Sequence, residues 1–81
     1  MMKARVHVTL KPGVLDPQGK AIANALHGLG YAEAGEVRLG KYIELDVDAA
    51  DAATARSRVA EMCERLLANT VVENYAIEIA D

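Results

Sequence analysis

Residues 3–10, KARVHVTL, alternate polar and apolar side chains over their whole length. Because successive side chains of a strand point to opposite faces of a sheet, this stretch predicts a strand that is buried on one side. The residues on its buried face are Ala4, Val6, Val8 and Leu10. The strand is expected to end at Lys11-Pro12-Gly13, since proline has no amide hydrogen to donate to a neighbouring strand.

A helix is predicted to follow, beginning at Asp16-Pro17. The Asp16 carboxylate can accept hydrogen bonds from the free amides of the first turn, and proline at the first helical position loses no intrahelical bond. An apolar stripe with helical spacing comes next and consists of Ile22, Ala25, Leu26 and Leu29. Gly30 is the expected end of this helix, and Gly28 is the alternative two residues earlier.

Asp51 can cap a second helix, which is predicted to run to about Ala68 because the stretch after Asp51 is rich in alanine, the residue of highest helix propensity. Its apolar stripe consists of Ala52, Ala55, Val59, Met62, Cys63, Leu66 and Leu67.

Strand-like alternation also occurs over residues 36–48 and again over residues 75–80. In the first of these regions we expect two strands joined by a tight turn at Gly40-Lys41. A single long bent strand is the alternative, since glycine within a strand can mark a bulge.

The predicted order β-α-β-β-α-β is that of a ferredoxin-like α+β fold, with an antiparallel sheet and both helices on one face. Residues 1–81 are expected to form a single domain, because a hydrophobic core of this size cannot be divided. The other face of the sheet would carry polar side chains and charges of both signs. These are Lys3, Arg5, His7, Thr9, Arg38, Glu44 and Asp46.

The composition of the chain limits the kinds of protein that it can be. With 81 residues, of which 52% are hydrophobic, it is expected to fold into a small globular domain. A net charge of −3 and the lack of Trp and Phe argue against a nucleic acid partner. No apolar run is long enough for a membrane span, and one cysteine excludes an internal disulfide, so a cytoplasmic location is expected. The limited core of so short a chain favours a homodimer or homotetramer.

No pattern of side chains predicts catalysis or metal binding. His7 and His27 have no cysteine or acidic residue at a familiar ligand spacing, so we expect structural or solvent-facing roles for them. Cys63 falls on the apolar side of the second helix and is expected to be a buried thiol rather than a nucleophile. Three acidic residues share one strand face but lack a glycine-containing metal loop, and we expect them to be solvated. They are Glu44, Asp46 and Asp48.

Three segments contain residues that core packing does not require. They are residues 11–19, 38–41 and 66–75. The first carries the pair Val14-Leu15 in a predicted loop, and the third carries the pair Val71-Val72. Exposed apolar residues in loops are typical contact points for another protein, so these segments are candidate interaction sites.

The same segments resemble those of the PurS family, the small subunits of phosphoribosylformylglycinamidine (FGAM) synthase. The stretch KPGVLDPQG at residues 11–19 and the ALxxLGY spacing at residues 25–31 are similar to the N-terminal motif of the family. VRLGKYIEL at residues 37–45 and LLANTVVENYxIE at residues 66–78 are similar to its central and C-terminal motifs. One difference is Thr70, where family members commonly carry proline, which predicts a less rigid backbone there.

The resemblance implies a small subunit that has no catalytic residues of its own but belongs to a glutamine-dependent ligase complex of purine biosynthesis. In such a complex a glutaminase subunit (PurQ) releases ammonia, and a synthetase subunit (PurL) uses ATP to convert formylglycinamide ribonucleotide (FGAR) to FGAM. The small subunit would bridge the two and assist ammonia transfer. It would bind no cofactor itself, whereas the complex uses ATP, magnesium and glutamine.

Within the three segments, a set of residues is expected to contact the partner subunits, without an assignment to either partner. They are Lys11, Pro12, Gly13, Val14, Leu15, Asp16, Gln18, Arg38, Gly40, Lys41, Asn69 and Tyr75. Among them, polar contacts are expected from Lys11, Asp16, Gln18, Arg38 and Lys41, and apolar anchors from Val14, Leu15 and Tyr75. The alternative function is that of an ACT-like regulatory module, which shares the ferredoxin-like architecture and binds a small ligand.

Overall fold

The computed structural model describes residues 1–80, which form one sheet, two α-helices and one π-helical turn. The elements follow one another as β1 (Met2–Leu10), α1 (Pro17–Gly28), β2 (Gly40–Val47), α2 (Ala52–Met62), the π turn (Cys63–Leu67) and β3 (Glu73–Ala80). The sheet is antiparallel throughout. The α+β class, the antiparallel sheet and the two helices are therefore confirmed.

Strand β1 is the centre of the sheet, whose strand order is β2-β1-β3. The alternation predicted for β1 is confirmed, because the side chains of Ala4, Val6 and Val8 are completely buried. They form the core with Val47, Ala55, Val59, Cys63 and Ala68. The thiol of Cys63 is fully buried as expected, and desolvation raises its pKa above the ordinary value. A group in this environment is an inert part of the core.

The hairpin predicted between residues 36 and 48 does not form. Gly40 and Lys41, which were expected in its turn, lie inside β2 and pair with Thr9 and Val8 of β1. Residues 36–39 have no regular secondary structure. A β-carbon on Gly40 would overlap the carbonyl oxygen of Val8, so this glycine permits two strands to approach closely instead of turning the chain.

Helix α1 begins at the predicted position and ends at Gly28, the earlier of the two ends considered. Gly30 lies just beyond the helix with a φ of +100°, in the left-handed region that favours glycine. Its amide donates to the carbonyl of His27, and the amide of Tyr31 donates to that of Leu26, each at 3.0 Å. These two bonds form a Schellman cap, in which Gly30 is the left-handed residue that follows the helix.

Helix α2 has the predicted cap, in which the Asp51 carboxylate accepts the amide of Thr54 at 2.7 Å. The α-helical pattern then gives way to the π turn, where the amide of Ala68 donates to the carbonyl of Cys63 at 3.1 Å. The extra residue in this turn brings Ala68 into the core and leaves Leu66 84% exposed. The prediction that Leu66 belongs to the buried stripe is wrong for this reason.

The two helices differ in how they relate to the sheet. Helix α2 packs against β1 and β3, whereas within residues 1–80 α1 has no comparable contact with any strand. The apolar stripe of α1 is therefore open, with Ile22 38% and Leu29 74% exposed. The molecule measures 50 × 26 × 14 Å and has a radius of gyration of 16.0 Å. A compact domain of this length would have about 12 Å. Both helices were expected to cover the sheet, but within one chain only α2 packs against it.

Candidate partner-binding site

Asp16 ties the start of α1 to the segment that leads into β2. One carboxylate oxygen accepts the amide of Gly19 in the first turn of α1, and the other accepts the amide of Leu39, each at 2.8 Å. Asp16 is only 9% exposed. The amides of Leu39 and Gly19, with a smaller contribution from Arg38, hold the pKa of Asp16 below its ordinary value. The carboxylate expected to contact a partner is thus already bound within the chain.

Gly19 allows α1 to lie close to the same segment. A β-carbon at this position would overlap the carbonyl oxygen of Val37 and would lie 2.8 Å from Oδ2 of Asp16. The residue is buried in the structure. Gly19 is therefore required by a close approach of two backbones, since any side chain would separate them.

Arg38 connects this segment to the loop after β1. Its Nη2 donates to the carbonyls of Leu10 and Lys11, each at 3.0 Å, and its Nη1 approaches the carbonyl of Val14 at 3.4 Å. The prediction that Arg38 lies on the free face of the sheet is wrong, because its guanidinium is turned towards this loop. We call the group that joins α1, the loop and β2 the junction; it consists of Asp16, Gly19, Arg38 and Leu39.

The loop over residues 11–15 presents apolar surface beside the junction. Leu15 is 74% exposed, and Pro12 and Gly13 are also exposed. A groove of about 780 Å³ lies between this loop, α1 and residues 36–38. The apolar pair that the sequence places in a loop is therefore accessible to another protein on its Leu15 side.

A second region is organised by Asn69. Its carbonyl oxygen accepts the amides of Val72 and Glu73 at 3.0 and 2.7 Å, and its side-chain oxygen accepts the amide of Val71 at 3.2 Å. The amide of Asn69 in turn donates to the Glu73 carboxylate at 2.6 Å. We call residues 69–73 the Asn69 turn. These hydrogen bonds hold the backbone on both sides of Thr70.

Two of the predicted contact residues make hydrogen bonds to other parts of the chain, and the first of these bonds links the two regions. The amide of Lys11 donates to the carbonyl of Val72 in the Asn69 turn at 2.8 Å. The hydroxyl of Tyr75 donates to the Glu64 carboxylate at 2.7 Å, and this bond raises the pKa of Tyr75. Tyr75 is half-buried, so only part of its ring is available as the apolar anchor that was expected.

The predicted site residues thus fall into two connected regions, the junction with its loop and the Asn69 turn. Lys41 of β2 reaches the second region, where its Nζ lies 3.8 Å from the Glu73 carboxylate. Gln18 is exposed on the first turn of α1. Gly40 is exposed as well, but its place inside β2 is explained by the close approach to Val8 described above.

Sequence reasoning missed the importance of Gly19, Glu64 and Glu73. The only available signal for Gly19 was a poor helix former placed in the first turn of a helix. No signal in the sequence pairs Glu64 with Tyr75 or Glu73 with Lys41, because these contacts depend on how distant segments fold together.

The free face of the sheet is a network of opposite charges. Lys3 lies 3.7 Å from Asp46, and Arg5 lies between Glu44 at 3.9 Å and Glu78 at 2.9 Å. These side chains are partly exposed, so solvent screens the ion pairs and they contribute little to stability. The acidic residues of β2 are therefore accounted for by solvated ion pairs.

Residues 1–80 were also compared with the requirements of a metal site and of a membrane-spanning helix, and they meet neither. Within that range, no three side chains with metal-ligating groups are clustered. The helices described there are also too short or too polar to cross a membrane.

The lowered pKa of Asp16 predicts that acid opens the junction. The carboxylate form is favoured in the folded chain, so its stabilising effect is complete above the ordinary value of 3.8 and is lost as the pH falls through the lower folded value. We expect the amide resonances of Gly19 and Leu39 to shift together in that acidic window, as measured by an NMR pH titration. A titration of Asp16 at or above 3.8 would contradict the hydrogen bonds described here.

Comparison with known proteins shows which protein family contains this chain. The family model described as PurS, phosphoribosylformylglycinamidine (FGAM) synthase, matches residues 3–81. The chain belongs to the PurS family. A relative from Synechocystis sp. named phosphoribosylformylglycinamidine synthase subunit PurS is 55% identical over 75 residues, which are 93% of this chain and 75% of that protein.

Solved structures of the PurS family share the fold. PurS from Bacillus subtilis is 49% identical, with a TM-score of 0.90 and complete coverage of both chains. A chain of the structure described as PurLQS from Thermotoga maritima is 35% identical, with a TM-score of 0.89 over 96% of this chain and 95% of that chain. The ACT-like alternative is not favoured, because the relatives found are PurS subunits.

Proposed function

We propose that this chain is the small, non-catalytic subunit of an FGAM synthase complex in purine biosynthesis. The observation that carries the proposal is the match to a chain of PurLQS from Thermotoga maritima over 96% of this chain. The site supports it, because the charged groups of Asp16 and Arg38 are bound to the chain's own backbone while Leu15 beside them is exposed. Such a loop is suited to docking rather than to chemistry.

In this role the chain holds the glutaminase subunit (PurQ) and the synthetase subunit (PurL) in one arrangement. Ammonia released from glutamine then passes to the synthetase, which converts FGAR to FGAM, instead of escaping into water. Correct positioning alone can account for large rate effects. ATP, magnesium and glutamine are bound by the larger subunits, and this chain binds no cofactor. It acts as a single domain in the cytoplasm.

The proposed contact residues divide according to their position. Leu15 and Val14 of the loop and the accessible part of Tyr75 provide apolar contacts. Lys11, Gln18 and Lys41 provide polar contacts at the edges of the two regions, where exposed side chains can meet a partner. Pro12, Gly13 and Asn69 fix the backbone that carries these side chains.

A homodimer or homotetramer is part of the same proposal. Ile43 and Leu45 of β2 lie opposite Val6 and Ala4 on the core side of the sheet, yet they are only half-buried. Helix α2 lies over β1 and β3, and α1 leaves its own stripe open. A second copy can supply the missing cover to both apolar faces, and burial of such surface is the main favourable term in association.

Reconstitution tests the proposed function. The glutaminase and synthetase subunits of one organism are assayed for FGAM formation from glutamine, with and without this chain from the same organism. We expect the rate to fall at least about tenfold without it, since coupling of two sites by proximity is lost. The Leu15→Glu variant, altered only at an exposed position, should fold normally and restore less activity than the unchanged chain. Equal rates with and without the chain would refute the proposal.

A further inference from the structure

Helix α1 and the loop over residues 11–15 are joined to the rest of the molecule by the junction and by two further bonds. The amide of Lys11 donates to the carbonyl of Val72, and Nε2 of His27 lies 2.7 Å from the carbonyl of Ala34. Helix α1 lacks the packing against the sheet that α2 has. The bonds that run from the junction to these two parts come from the carboxylate of Asp16 and the guanidinium of Arg38. Asp16 therefore ties the start of α1 to Leu39, and Arg38 ties the loop to the same segment, whereas α1 has no packing against the sheet comparable to that of α2.

We propose that Asp16 and Arg38 are positioning residues, which set the orientation of α1 and of the loop before a partner subunit binds. This inference rests on the proposed function and specifies how it is achieved. Ordering a loop at the moment of binding weakens affinity, because the lost conformational freedom opposes association. A loop that is already held presents Leu15 without that loss.

The geometry favours this role over direct contact with a partner. Asp16 is 9% exposed, and each of its carboxylate oxygens already accepts a backbone amide. Both terminal nitrogens of Arg38 are directed at carbonyls of the chain's own loop. A partner would have to break these bonds to use the buried Asp16 carboxylate, and it could reach the exposed Arg38 only through the N–H groups that these bonds leave free.

The shape of the guanidinium matters as much as its charge. Arg38 reaches the carbonyls of Leu10, Lys11 and Val14 through two nitrogens of one planar group. A lysine keeps the positive charge but has a single ammonium group that cannot reproduce this fork. The substitution Arg38→Lys therefore separates a positioning role from a simple charge contact.

Two measurements on Arg38→Lys test the proposal, and the first uses the chain alone. Hydrogen exchange of the Val14 amide, which bonds to the carbonyl of Lys11, should become about tenfold faster or more as the loop opens. Exchange in the centre of β1 should not change. Arg56→Lys is the matched control, since Arg56 also donates to a backbone carbonyl, that of Ile77, but lies outside the junction.

The second measurement is the affinity of the chain for the paired glutaminase and synthetase, for Arg38→Lys, Leu15→Ala and the double variant. We expect Arg38→Lys to weaken binding about tenfold and to remove most of the effect of Leu15→Ala, because an opened loop no longer presents Leu15. Unchanged hydrogen exchange at Val14 would overturn the proposal. It would also be overturned if the double variant lost affinity by the product of the two single fold-changes. If the unchanged chain does not bind, the proposed function fails, and exchange alone decides whether Arg38 holds the loop.

Discussion

Replacing Gly19 by alanine is expected to lower the free energy of unfolding by about 2–3 kcal/mol, in the upper range for an added methyl group. The new β-carbon would overlap the carbonyl oxygen of Val37 and crowd the Asp16 carboxylate. A backbone carbonyl cannot rotate away as a side chain can, so α1 must move off residues 36–39. Thermal unfolding should show a midpoint lower by about 10–20 °C for a domain of this size.

Gly28→Ala is the matched control in the same helix. A β-carbon on Gly28 would meet no other atom within 4 Å. Alanine also loses less backbone freedom on folding than glycine, so the free energy of unfolding should stay the same or rise by up to about 1 kcal/mol. Equal destabilisation by the two substitutions would mean that the close approach at Gly19 does not matter.

Replacing Leu29 by lysine is expected to weaken self-association strongly while leaving the single chain folded. Leu29 is 74% exposed in the single chain, so its loss removes little of the chain's own packing. In a symmetric dimer that buries the α1 stripe the change occurs twice, and each lost leucine costs about 2 kcal/mol. The dissociation constant should therefore rise at least about a hundredfold, as measured by sedimentation equilibrium.

Asn24→Lys provides the comparison for that experiment, since it adds the same charge on the opposite side of α1 and Asn24 is exposed. It should leave the dissociation constant almost unchanged. Loss of association in both variants would indicate a general charge effect, and loss in neither would show that the stripe of α1 is not the interface.

Local signals in the sequence were sufficient for the central strand and for both helix caps. The alternation of β1 identifies its buried face, and Asp16 and Asp51 each precede a helix whose first-turn amides they accept. These features depend on residues a few positions apart. Gly40 shows the limit of such signals, because a turn, a bulge and a close approach of strands all favour glycine and look alike in one sequence.

The site itself depends on contacts between distant segments, which no local pattern encodes. Leu39 bonds to a carboxylate 23 residues earlier, and Arg38 bonds to a carbonyl 28 residues earlier. Sequence reasoning places Asp16 and Arg38 in loops and therefore predicts that they contact a partner subunit. The π turn after α2 was missed for a related reason, since the stripe continues as an α-helical pattern through Leu66 although the backbone departs from it.

The central claim is that this chain couples two larger subunits without reacting itself, and one ratio tests it most directly. The ratio is the rate of FGAM formation with glutamine divided by the rate with added ammonia, measured for the glutaminase and synthetase together. We expect this chain to raise the ratio strongly, because ammonia supplied in solution does not depend on subunit positioning. A ratio that stays the same when the chain is added would contradict the account.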